Sequence, residues 1–197
     1  MKRVITISRE FGSGGRTIGR MVAERLGYTF YDEELVNEVA KRSGFCPDFV
    51  KEQGEYATSR HSLLFSLATA QHATMDCLST MDKVYIEQTK VIEEIAAEGN
   101  CVIVGRCADY ILRDRKDALH IFVYGDEKEK ARRIVERYGE TAKSPEKRLH
   151  EKDQKRKVYY KNYTGRTWGQ AENYDLCLNS SVLSLDTCTE LILRAAE

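Results

Sequence analysis

Residues 3–27 read RVITISREFGSGGRTIGRMVAERLG, and this stretch decides the fold. Residues 3–8 are a short β-branched run closed by turn residues, the pattern of a strand buried on both faces. After Gly12-Ser13-Gly14-Gly15, the apolar residues Ile18, Met21, Val22 and Leu26 share one helical stripe, and Gly27 supplies a stop. Strand, glycine loop and helix in immediate succession form the unit with which open parallel sheets bind phosphate. Glycines let backbone N–H groups converge, and the helix N-terminus adds partial positive charge.

Working outward, the same alternation recurs. A second short strand is expected over 28–31, with Asp32 as the N-cap of a helix over 33–42. Pro47 and Gly54 punctuate the next stretch, and two long helical patterns occupy about 61–78 and 82–98. Residues 101–105 (CVIVG) and 119–124 form two further apolar strands, and 126–138 a helix with Asp126 as cap. A last strand over 174–178 (YDLCL) precedes a helix over 186–196. Strands that alternate with helices pair in parallel, so the expected architecture is α/β: a three-layer sandwich around a five-stranded parallel sheet. With no repeat, low-complexity segment or linker, residues 1–197 read as one domain, with a helical insertion at about 45–99 and a basic lid at about 139–169.

Composition narrows the function. Lys+Arg and Asp+Glu both number 31 in 197 residues, so the chain has no global charge with which to grip nucleic acid. No run approaches the roughly 20 apolar residues of a membrane helix, and the chain reads as cytoplasmic. The six cysteines show no CxxC pair and no metal-ligand rhythm, which fits reduced, buried thiols. His61 and His72 read as structural. Within this neutral chain, residues 137–166 carry ten Lys or Arg against four acids. Arg148, Lys152 and Lys155 or Arg156 recur every three or four residues, so one helical face could bring several cations to a polyphosphate. Tyr159, Tyr160, Tyr163 and Trp168 interleave with these cations; they either pack the lid onto the sheet or offer stacking surfaces to RNA.

The glycine loop departs from the strict pattern G-x-x-x-x-G-K-[ST] and leaves two registers open. In one, Gly15-Arg16-Thr17 stands where Gly-Lys-Thr would, Arg16 replaces the lysine, and Glu10 takes the position of the first glycine. In the other, Gly15 itself occupies the lysine position. A glycine turn that binds nothing is the bland alternative, and the agreement of strand, loop and helix favours phosphate. Arg106 leaves the carboxyl end of the 101–105 strand, where parallel-sheet ligands bind, and its planar fork suits a phosphate. Asp32 suits a helix cap, a sugar or a metal-bound water equally. No acid directly follows the 101–104 run, so the usual magnesium-binding aspartate has no counterpart there.

ITISREFGSGGRTIGRMVAERLG, FYDEELV, VIVGR, DQKRKVYYKNYTG and YDLCLNS together resemble the cytidylate-kinase-like branch of the P-loop nucleoside monophosphate kinases. The resemblance spans nearly the whole chain and is weakest in the helical block. It implies a P-loop kinase fold, ATP as phosphoryl donor with Mg, and a small-molecule nucleotide such as CMP as acceptor. Gly12, Ser13, Gly14, Gly15, Arg16 and Thr17 would hold the donor phosphates, with the Thr17 hydroxyl on Mg. Arg16, Arg106 and Arg156 would be the catalytic cations, and Asp32, Arg106, Asp109 and Asp153 would meet the acceptor. Asp32 matches the family aspartate after the second strand, Gly105-Arg106 the Gly-Arg, and Asp153-x-x-Arg156 the lid pair. Two departures stand out: the lysine is missing, and Cys107 replaces the aspartate of Gly-Arg-Asp, with Asp109 the nearest acid. They define the alternative function, a nucleotide-binding module without turnover. Nucleic acid and membrane are not expected partners; the helices at 61–98 suit either a substrate lobe or the face of a homodimer.

Overall fold

A computed structural model describes residues 2–53 and 79–197. The helix expected over 61–78, with His61 and His72, lies outside them. β1 (Val4–Arg9) is the central strand. It pairs in parallel with β3 (Cys101–Val104) on one side and β4 (Ala118–Tyr124) on the other, with Val4 opposite both Cys101 and Ala118. β2 (Thr29–Tyr31) lies outside β3 and β5 (Leu176–Asn179) outside β4, giving the order β2-β3-β1-β4-β5. The five parallel strands expected from sequence are all present.

Period-two alternation assigns each strand residue to a face. Ile5, Ile7, Val102, Val104, Leu119, Ile121 and Val123 meet α1 (Gly15–Leu26) and the C-terminal helix, α8 (Leu185–Ala196), through Ile18, Val22, Cys188 and Ile192. On the opposite face Val4, Cys101, Ile103 and Ala118 meet α2 (Glu33–Ser43), α3 (Pro47–Gln53) and α4 (Thr80–Glu98) through Leu35, Val39, Val50, Val91 and Ile92. α4 begins earlier than the sequence pattern indicates. Ser79 caps it, and Asp82, its third residue, accepts a bond from the Ser79 amide. The short α5 (Ala108–Ile111) follows β3; α6 (Glu127–Tyr138) and the long α7 (Pro145–Thr164) separate β4 from β5. Asp32 and Asp126 occupy N-cap positions, but neither side chain bonds its helix. Among the described residues no helix is long and apolar enough to cross a membrane, and Cys46, Cys101, Cys107, Cys177 and Cys188 are all free thiols.

Toward its carboxyl end one face of β1 turns polar. Thr6 Oγ1 bonds His120 Nδ1 at 2.8 Å, Ser8 donates to Asp109 Oδ1 at 3.0 Å, and the Tyr160 hydroxyl of α7 donates to Asp109 Oδ2 at 2.6 Å. Asp109 is buried. Burial pushes its carboxyl above the ordinary range, and the hydroxyls of Tyr160 and Ser8 pull it partly back. The tyrosines of α7 are thus turned inward: Tyr163 stacks on Tyr85 at 4.0 Å, and Trp168 meets Phe122 of β4 edge-on at 5.2 Å. Tyr159 and Tyr160 are buried, so packing and not RNA stacking occupies them.

Tyr160→Phe removes a donor from this buried carboxyl and should lower the unfolding free energy by about 1–3 kcal/mol in a urea titration. Because the folded-state pKa of Asp109 lies above its ordinary value of 3.8, its stabilising contribution is complete below that value and declines as pH rises through the folded pKa. Asp109→Asn should remove that decline, so the difference in stability between the two proteins should favour wild type increasingly as pH falls.

Candidate active site

The loop between β1 and α1 is laid down too tightly for side chains. Gly12 and Gly14 both have φ of +80°, and a Cβ at either would come within 2.8 Å of its neighbours, the Lys130 carbonyl and the Leu185 side chain respectively. Polar bonds fix the loop in this position. Glu10 Oε2 accepts from Lys130 Nζ at 2.7 Å and from the Gly125 amide at 3.2 Å. Ser13 donates through both its hydroxyl and its amide to the Glu10 carbonyl. The Ser13 carbonyl in turn accepts from Ser180 Oγ at 2.6 Å and Arg133 at 3.3 Å. With Ser13 buried and bonded within the protein, an anion is left the first-turn amides of Gly15, Arg16 and Thr17. These have no intrahelical acceptor, and Gly14, the N-cap, has no side chain to satisfy them.

Those amides open into a cleft of about 1000 Å³ at the carboxyl ends of β1, β2 and β3. Among the described residues nine Arg or Lys line it against five acids, although the chain as a whole is neutral. Arg16, Arg106 and Arg156 are there as expected, and so are the loop glycines Gly12, Gly14 and Gly15 with Thr17 and Asp32. Arg9, Arg132, Arg133, Arg137, Arg148 and Lys152 join them. Arg133 and Arg137 belong to no recognisable motif, although their spacing of four residues sets both on one face of α6. Arg137 donates to Thr17 Oγ1 at 3.0 Å.

Several side chains hold one another rather than the cleft's interior. Arg16 Nε pairs with Asp32 Oδ2 at 2.6 Å, and its Nη2 reaches Glu33 at 3.4 Å, which is why Asp32 leaves its capping role. Arg106 donates to the Val50 carbonyl of α3 at 3.2 Å, while its own carbonyl accepts from the buried Gln88 at 3.0 Å. Gly105, Arg106 and Cys107 all have left-handed backbone, at φ of +76°, +60° and +56°. Two successive non-glycine residues in that region store strain of about 1–3 kcal/mol each, of the kind that collects at binding sites. Asp109, expected near the acceptor, lies instead beneath the cleft between Ser8 and Tyr160, because the Ser8 hydroxyl and the Tyr160 hydroxyl of α7 claim both of its oxygens.

Asp153 and Arg156 of α7 grip the loop itself. Asp153 Oδ1 accepts from the Phe11 amide at 2.7 Å and from Arg156 at 3.3 Å, and Arg156 donates onward to the Arg9 carbonyl at 3.2 Å. One turn of α7 therefore clamps the backbone on both sides of Glu10. Burial raises the Asp153 pKa, and the Arg156 charge acts against it.

A parallel sheet in the order 2-3-1-4-5, with a glycine loop joining its central strand to a helix and a cationic cleft above it, is the architecture of a P-loop kinase. The chain belongs to the cytidylate kinase-like family, whose sequence profile matches residues 4–182. A cytidylate kinase from Archaeoglobus fulgidus is 29% identical over 98% of this chain and 94% of its own length. Among solved structures, an uncharacterized protein from Eubacterium ventriosum aligns with a TM-score of 0.73 at 28% identity, over 98% of this chain and 97% of that one. Shikimate kinase from Acinetobacter baumannii aligns with a TM-score of 0.54 at 15% identity, over 99% and 93%, a likeness of fold.

Asp153→Ala removes the acceptor of the Phe11 amide. It should cost about 1–3 kcal/mol in stability. Hydrogen exchange should show faster labelling of residues 9–14 and of the first half of α7, with the β4 amides unchanged.

Proposed function

We propose that this chain transfers the γ-phosphoryl group of ATP to a nucleoside monophosphate, with CMP as the acceptor. The observation that carries the reading is the lining of the cleft: among the described residues nine Arg or Lys share it with the first-turn amides of α1, and Asp32, Glu33 and Asp48 line the same space. A ligand that joins phosphates to a group with hydrogen-bond donors matches such a lining. Cytosine presents an exocyclic amine donor at the position where uracil presents a carbonyl acceptor. Family membership supports a kinase acting on a nucleotide or another small molecule.

Phosphoryl transfer asks for positioning and charge neutralisation more than for a covalent nucleophile. The first-turn amides of α1 would receive donor phosphates, Arg106 the acceptor phosphate, and Arg148, Lys152 and Arg156 the charge spread over the equatorial oxygens. An acceptor phosphate oxygen forms the new bond to the γ-phosphorus as the bond to the bridging oxygen breaks, and ADP leaves. Thr17 and Asp32 supply hard oxygen atoms within one cleft, a set that suits Mg, which takes one or two protein oxygens and completes its shell from phosphates and water. Bound there, Mg would neutralise charge on the β- and γ-phosphates. The missing loop lysine favours a second reading, nucleotide binding without turnover.

A coupled assay with ATP and Mg should show turnover with CMP at least tenfold more efficient than with UMP. Arg106→Ala should raise KM for the acceptor by roughly tenfold or more with KM for ATP little changed. ATP-induced thermal stabilisation without turnover on any nucleoside monophosphate would establish the second reading. Residues 139–169 should also become protected from hydrogen exchange when ATP is added, since phosphates neutralise a segment of dense like charge.

A further inference from the structure

In the pattern G-x-x-x-x-G-K-[ST] the first glycine stands six residues before the lysine. With Gly15 in the lysine position, as the start of α1 at Gly15 favours, the residue in the place of the first glycine is Arg9. The chain thus has a glycine where the pattern has a cation and a cation where it has a glycine. Packing ties the two changes together. A Cβ built on Gly15 would lie 2.6 Å from Cβ and 3.1 Å from Cγ of Arg9, so the arginine stem fills the space from which a lysine would start. The side chain then runs across Gly105, where its Cζ comes within 3.1 Å of the position of a Cβ, and its Nη2 stands 4.0 Å from Asp32 Oδ1. The side chain as a whole is mostly buried, at 14% exposure, and lines the cleft. Arg16, the cation that the other register would use, is turned to Asp32 and Glu33.

We propose that Arg9 carries the phosphate-binding charge of the absent loop lysine, entering the site from the end of β1 instead of the start of α1, and that Gly15 is glycine to make room for it. The inference rests on the kinase reading and adds the residue that touches the donor phosphates. The guanidinium stays protonated throughout and exchanges no proton with substrate; its planar fork can take two oxygens of one phosphate, which a lysine cannot. Gly105 is part of the device, because any side chain there would displace the guanidinium.

The test is calorimetric titration of ATP with Mg, with steady-state kinetics, on wild type, Arg9→Ala, Arg9→Lys, Arg9→Gly, Gly15→Lys and the double exchange Arg9→Gly/Gly15→Lys, each checked for folding by its thermal midpoint. Arg9→Ala should weaken ATP binding about tenfold to a hundredfold, and Arg9→Lys should fall between it and wild type. Arg9→Gly and Gly15→Lys should each bind poorly, the first lacking the charge and the second the space, while the double exchange should return to within about tenfold of wild type. A purely structural arginine would give no such recovery. If Arg9→Ala binds ATP as wild type does, or the double exchange binds no better than Arg9→Gly, Arg9 is not the phosphate ligand and the kinase reading stands without it. Should Arg9→Ala fail to fold, the exchange variant and Arg9→Lys decide the question. A folded wild type that binds no ATP would overturn the kinase reading and this inference together.

Discussion

The backbone between β1 and α1 has to pass so close to its neighbours that no side chain fits at Gly12, Gly14 or Gly15, and the rest of the site depends on that approach. Lys130 of α6 and Leu185 at the start of α8 stand against the first two glycines, and the stem of Arg9 against the third. A loop held this near two helices must satisfy its polar groups locally. The bonds of Ser13 to Glu10, of Glu10 to Lys130 and of Ser180 to Ser13 do so. What they leave is one turn of helix whose amides look into the cleft.

The second organising feature is the way in which a neutral chain concentrates charge. Cations from β1, α1, α6 and α7 face a common space, and several are held in place by backbone carbonyls: Arg133 on that of Ser180, Arg106 on that of Val50, Arg156 on that of Arg9. Like charges gathered in this way repel, and the fold balances that repulsion with backbone acceptors and with Asp32, Glu33 and Asp153. Charged groups fixed in this way need no rearrangement to meet a phosphate, the condition under which they contribute most to phosphoryl transfer.

The long helix α7 has two faces that do different work. Its tyrosines reach down to Asp109 and to Tyr85, while Asp153 and Arg156 hold the loop backbone. Asp153 and Arg156 thereby tie α7 to the glycine loop on either side of Glu10.

Local pattern alone was enough for the sheet, because a buried parallel strand needs a short apolar run and α1 an apolar stripe, and both show in 3–27 without reference to any other residue. The same holds for the glycine loop and for Arg106, which come directly after their strands. Distance in sequence hid the rest. Asp32 has the chemistry of an N-cap, and only the approach of Arg16 shows that its carboxylate is used elsewhere. Asp109 is the nearest acid to Arg106 in sequence, yet Ser8 and Tyr160, separated from it by 101 and 51 residues, draw it beneath the cleft. Whether position 15 must be glycine depends on where the Arg9 side chain goes, and that is settled by packing against Gly105 rather than by any spacing within the motif. Periodicity records which face of an element is buried; which side chains then meet across that face is decided when the elements pack.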